Sequence, residues 1–150
     1  MYTLDHVYDE CVQEKASNTA PEAKRAMYEE SFHALNTWIE SRMMRRKGAE
    51  IGPFGTFTWE LKTNEEGEEM MRPIFLISDS FVKDHRVRQQ RIHYFPKTAS
   101  NEEINYSKLA IKFSNNLTKD MVFCSLRDII RKIGELSIKF LYASFTLLCM

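Results

Sequence analysis

The stretch Lys47-Gly48-Ala49-Glu50-Ile51-Gly52-Pro53-Phe54-Gly55-Thr56-Phe57-Thr58-Trp59-Glu60-Leu61 constrains the fold more than any other, because it turns a long helical pattern directly into a β-hairpin. Gly48 suits the left-handed residue that stops a helix, and Gly52-Pro53 with Gly55 allow a tight bend. Phe54, Phe57 and Trp59 place aromatic mass on a short strand.

On either side of this stretch the periodicity sets the plan. Residues 3 to 15 predict a first helix, with Thr3 as N-cap and Leu4, Val7, Tyr8, Cys11 and Val12 on one face. Pro21 opens a second helix that runs to Arg46. Its stripe is Tyr28, Phe32, Leu35, Ile39 and Met43, with Trp38 beside it. About 26 residues at ~1.5 Å each span nearly 40 Å, more than a small domain needs, so this helix is expected to share its face with a partner. Residues 62 to 69 form an acidic hairpin tip, and Met71 to Ile77 the returning strand. Ser78-Asp79-Ser80 caps a brief helix to His85. The segment from Arg86 to Ser100 is an expected connector, with one strand at Ile92-His93-Tyr94-Phe95 and a boundary near residue 98. Helices then restart at Asn105 to Phe113 and, capped by Thr118-Lys119-Asp120, along Val122, Leu126, Ile129, Ile130, Ile133, Leu136, Phe140 and Leu141. Asp128/Lys132 and Glu135/Lys139 are expected as i,i+4 pairs on the outside. The order of helix, turn and long helix repeats that of residues 3 to 46.

Composition narrows the function classes. The chain has 150 residues, 43% of them apolar, with 21 basic and 21 acidic side chains, so no global charge draws it to DNA or an acidic membrane. Cys11, Cys124 and Cys149 have no metal-ligand spacing and read as small apolar fillers in a reducing compartment. No secretion signal is recognised at the N-terminus. The apolar end from Phe140 to Met150 is about half the ~20 residues that cross a bilayer, so it reads as a docked tail. Asn116-Leu117-Thr118 matches a glycosylation sequon but reads as an ordinary turn without a secretion signal.

The helix ending in Lys47-Gly48, the Phe54-Gly55-Thr56-Phe57 hairpin and the return strand Arg72-Pro73-Ile74-Phe75 resemble the bacterial HU/IHF fold. With Trp38-Ile39, Ile51, and a second unit beginning Asn105-Tyr106, Leu109-Ala110 and Thr118-Lys119-Asp120-Met121-Val122, the chain resembles the eukaryotic family of coiled-coil domain-containing protein 81. Its motif and core residues here are Trp38, Gly48, Phe54, Gly55, Phe57, Arg72, Pro73 and Phe75. The resemblance implies an α+β protein: an HU-like unit over residues 1–97, with two helices, a hairpin sheet and a short helix, then a helical second HU-like unit over 98–150. The two would pack as an intrachain pseudo-dimer. The second unit departs from the family pattern, because residues 142 to 150 hold no Gly-x-Phe-Gly turn; it is either a shortened variant or its tail docks elsewhere. Leu141, Phe145, Leu147 and Leu148 are then candidate partner-docking residues.

Bacterial HU arms are basic and carry a proline that wedges into the minor groove. Here residues 60 to 72 hold five acids (Glu60, Glu65, Glu66, Glu68, Glu69) and two bases (Lys62, Arg72), a net of −3, and no proline at the tip. Phosphates would repel such an arm. Lys83, Arg86, Arg88, Arg91 and Lys97, with His85 and His93 interleaved, are the candidate contact for an acidic surface, whether tubulin or nucleic acid; a solvated connector accounts for the same residues. Arg42, Arg45, Arg46 and Lys47 complement the dipole of the helix they end. Trp38 and Trp59 read as packing residues. The four histidines (His6, His33, His85, His93) have no metal-binding spacing, and no nucleophile or phosphate-loop motif is present, so neither catalysis nor a cofactor is expected. What the resemblance implies is a structural protein of the cytoplasm and cytoskeleton, in the ciliary axoneme or the centrosome, with tubulin or other axonemal or centrosomal proteins as partners and no membrane. The alternatives are a DNA-binding chromatin module and a cytosolic adaptor.

Overall fold

In a computed structural model, which describes residues 3–14, 18–87 and 95–137, the amphipathic pattern at the N-terminus becomes α1 (Leu4–Glu14), burying Val7, Tyr8 and Cys11. Pro21 opens α2 (Pro21–Met44), where its missing N–H is one that no helix start can satisfy. At the other end, the Arg46 N–H donates to the Met43 carbonyl and the Lys47 N–H to the Arg42 carbonyl, with Arg46 at φ 58°. This pair of bonds closes the helix in a Schellman motif whose left-handed residue is Arg46. The expectation for Gly48 is thereby corrected. Gly48 opens β1 (Gly48–Ile51), and its missing side chain leaves the space that the Asn101 side chain fills, since a Cβ there would overlap it.

The bend follows at once. The Phe54 N–H donates to the Ile51 carbonyl at 2.8 Å across Gly52-Pro53, and Gly52 has φ +22°. β2 (Gly55–Thr63) then pairs antiparallel with β1 and along its full length with β3 (Glu69–Ile77), from Gly55↔Ile77 to Thr63↔Glu69. Gly55 leaves no room for a side chain against the Leu76 carbonyl and the Phe75 ring. Phe54, Phe57, Phe75 and Phe81 form one aromatic group, with centroids 4.6 to 5.2 Å apart for the pairs Phe57–Phe75, Phe54–Phe75 and Phe54–Phe81. Pro73 sits opposite Trp59, whose carbonyl is engaged by the Ala99 N–H on the far side. Alternation therefore turns the Pro73 nitrogen to the open edge, where its missing N–H costs no ladder bond. Ser78 caps α3 (Asp79–His85) by accepting from the Phe81 N–H.

The chain then returns to the sheet as β4 (Asn101–Glu103), parallel to β1, giving the order β3-β2-β1-β4. The expected boundary near residue 98 lies in this paired segment. The Leu61 N–H donates to the Lys97 carbonyl, Ala99 to Trp59, Gly48 to Ser100 and Ile104 to Glu50, all at 2.8 to 2.9 Å. The Thr58 hydroxyl donates to Asn101 Oδ1 at 2.7 Å, which places Asn101 over Gly48. Of the strand expected at residues 92–95, the first three positions lie outside the described residues, and Phe95 is exposed and outside the sheet.

Asn105 caps α4 (Tyr106–Lys108), which continues as a π-helical turn, Leu109–Phe113, with the adjacent Leu109 and Ala110 both buried. Thr118 then starts α5 (Lys119–Ser137), its hydroxyl accepting from the Met121 N–H at 3.2 Å. Val122, Leu126, Ile129, Ile130 and Leu136 join the same core as Tyr28, Phe32, Leu35 and Trp38. At ~1.5–3 kcal/mol for each large apolar side chain buried, α5 is held firmly against α2. Asp128 and Lys132, expected outside, are only 4% and 6% exposed: the Tyr28 hydroxyl donates to Asp128 at 3.1 Å, and Lys132 meets Glu14 and Glu135. Both turn inward because α1 and α2 cover this side of α5. Glu135's partners are Arg131 and Lys132, while Lys139 lies outside the described residues. Cys11 is buried as expected, and burial pushes its thiol up to about 11.

Candidate functional site

The β2–β3 ladder is a stiff arm with two distinct charge zones. At its base the Glu60 carboxylate is buried, with 3% of its side chain exposed; it accepts from Arg72 Nη2 at 2.6 Å and Nε at 3.1 Å and lies 3.8 Å from Lys62 Nζ. Glu60 and Arg72 are cross-strand neighbours, so the register brings them together. Glu60 is therefore a clamp at the base and no part of the exposed acidic surface. At the tip, Asn64 Oδ1 accepts from the backbone N–H groups of Glu66 and Glu68, and Gly67 takes φ 83°. This turn holds Glu65, Glu66, Glu68 and Glu69 exposed, four carboxylates with no base between residues 63 and 69.

Beside the arm's base, the end of α2 forms a basic corner. Arg42 is used internally: its Nε donates to the Gly48 carbonyl at 3.1 Å and its Nη1 lies 3.1 Å from Glu102. A hydrogen bond from Lys108, with Arg42 and Lys47 nearby, holds the Glu102 carboxyl below the usual glutamate value. Of the four cations at this end, Arg42 alone lies within the last turn of α2, and its hydrogen bond and ion pair go to β1 and β4. Arg45, Arg46 and Lys47 stay exposed, and among the described residues none of the three is paired with a carboxylate. The Arg46 guanidinium lies 4.7 Å from the centroid of the Trp59 ring, whose Nε1–H donates to the Met43 carbonyl at 3.1 Å. Met44, 79% exposed, rims this corner. The sequence holds the signal for it: if Ala49 faces Phe57 across a tight hairpin, residue 47 falls level with Trp59.

The other proposed contact residues are dispersed. Lys83 and Arg86 are exposed on α3 and its left-handed C-cap, whereas the Lys97 backbone pairs with Leu61, six residues up β2 from Gly55, where α3 departs. That is ~20 Å along the strand. Arg88 and Arg91 lie outside the described residues, as do the tail residues Leu141, Phe145, Leu147 and Leu148. Of the motif residues, Trp38, Gly48, Phe54, Gly55 and Phe57 are buried, and Phe75 packs against that core. Among the described residues no group of three His, Cys, Asp or Glu side chains could hold a metal ion, and no helix is long and apolar enough to cross a membrane.

No curated protein matches the chain. A family model described as CCDC81 eukaryotic HU domain 1 matches residues 9–89, which run from α1 through the arm to just past α3. A sheet built on the Phe54-Gly55-Thr56-Phe57 turn, two preceding helices and the short α3 accord with that match, and the chain belongs to the CCDC81 family of eukaryotic HU-like domain proteins.

Proposed function

We propose that this chain is a non-catalytic structural component of a microtubule-based assembly, the ciliary axoneme and its doublet microtubules first and the centrosome second. The observation that carries this reading is the arm. It keeps the HU-type hairpin, yet its tip presents four carboxylates and no proline, so phosphate repels the element that would otherwise grip DNA. A stiff hairpin with an acidic end suits protein surfaces, where shape and charge complementarity fix register. In this reading the protein is a small wedge of the cytoskeleton. Lys83 and Arg86 meet an acidic tubulin surface, together with Arg88, Arg91 and Lys97. The packing of α5 on α2 provides the apolar face that a second HU chain would supply, and the tail beyond residue 140 inserts into a neighbouring protein.

The test is cosedimentation with stabilised microtubules, run beside a mobility shift with duplex DNA. Pelleting that is lost in a Lys83→Glu, Arg86→Glu variant, with no DNA shift, is the expected result. A DNA complex that weakens steeply with salt, without pelleting, would overturn the reading in favour of a chromatin module.

A further inference from the structure

The acidic tip and the basic corner lie apart along the same hairpin. From Trp59, level with the corner, the ladder runs on unbroken to Thr63↔Glu69, and the tip begins at Asn64. Those five residues hold the tip ~17 Å from its own corner. The Glu60–Arg72 clamp ties the two strands together at the base. Both zones keep exposed charge within the described chain: Arg45, Arg46 and Lys47 form no ion pair, although Lys47 lies near Glu102, and Glu65, Glu66, Glu68 and Glu69 stand exposed, with Glu68 accepting from the Asn64 amide. The corner also carries a conformational cost. Arg46 occupies the left-handed position at a helix end that glycine ordinarily takes, and in that conformation its guanidinium is fixed over Trp59.

We infer that the corner formed by Arg45, Arg46, Lys47 and Trp59 is a docking surface for the acidic hairpin tip of a second copy of this chain. Three exposed cations, of which Arg46 is held over Trp59, would meet four carboxylates carried by a defined turn, and the exposed Met44 next to them in the chain adds apolar surface. The contact is heterologous, tip to corner, so every bound copy presents a further free tip and a further free corner. Copies therefore add head to tail. Because both zones are solvent-exposed, the association is governed by ionic strength.

Sedimentation velocity on the full chain tests this. At about 10 mM salt, where the Debye length is ~30 Å, the weight-average mass is expected to rise with concentration to at least about twice the monomer; at about 1 M, where it is ~3 Å, the protein returns to monomer. A tip-reversed variant (Glu65→Lys, Glu66→Lys, Glu68→Lys, Glu69→Lys) and a corner-reversed variant (Arg45→Glu, Arg46→Glu, Lys47→Glu) are each expected to stay monomeric at low salt. Mixed in equal amounts they associate again, because each reversed zone now meets its opposite. If the change at Arg46 unfolds the corner, Arg45→Glu with Lys47→Glu serves in its place, with thermal melting as the control for folding. A wild-type chain that is monomeric at every concentration at low salt sinks the inference. So does association that survives in either variant, or a mixture that fails to associate.

Discussion

The junction of α1 with α5 and the tip of the arm both concentrate charge and use it in opposite ways. At the junction, Arg131 and Lys132 of α5 are interleaved with Glu10 and Glu14 of α1 and with Glu135, at 2.9 to 3.8 Å, and Lys132 is almost wholly covered. Beneath them the Asp128 carboxylate accepts from Tyr28. Here two bases meet three glutamates of opposite sign, and the contacts fix how α5 lies on the other two helices. At the tip, four carboxylates of one sign stand in water with no base among them. Charge that meets its partner inside a fold specifies that fold; charge left unmatched on a stiff projection adds nothing to folding and is available to an outside partner.

The contrast is sharpest at Asp128. Asp128→Ala leaves the buried Tyr28 hydroxyl without this acceptor, and urea unfolding is expected to show a loss of about 1–3 kcal/mol. Adding Tyr28→Phe recovers part of it, so the two changes are non-additive; a loss within error of zero would break the assignment of the junction as a specifying contact. Acid provides the next effect. Hydrogen bonds from Arg131 and then Lys132 hold the Glu14 carboxyl below its ordinary 4.5. Its contribution is therefore complete above that value and is lost as pH falls through the lower folded value. Glu14→Gln is expected to flatten this part of the stability–pH curve, read from urea midpoints across the acid range; an unchanged acid limb would contradict the pairing. Smallest is the tip, where Glu66→Gln with Glu68→Gln is expected to shift unfolding by no more than about 0.5 kcal/mol. A larger shift there would mean that the tip contributes to the fold after all.

Elements announced by local chemistry were legible in the sequence. Pro21, Ser78, Asn105 and Thr118 each open the helix expected of them, and the glycine turn at Gly52 to Gly55 starts the hairpin. What escaped depends on contacts between distant residues. Asn101-Glu102-Glu103 has no strand pattern and becomes β4 only because β1 offers it an edge. Gly48 belongs where it is on account of Asn101, more than fifty positions away, and the helix stop expected there is supplied by Arg46. Asp128 and Lys132 have the spacing of an exposed pair, and periodicity on one helix cannot reveal that two others cover it. The basic residues from Lys83 to Lys97 are neighbours in sequence, yet the fold carries Lys97 up the sheet and away from α3.

The way Asn101 closes over Gly48 and Thr58 also bears on where this molecule can be divided. A fragment ending at residue 89, where the family match stops, would strip the flank of β1 and leave the Gly48 N–H and the Glu50 carbonyl without their backbone partners. Such a bared strand is a template for whichever chain arrives next, so the excised piece would be prone to stick to its own kind. A fragment extended through Ile104 carries its own seam with it.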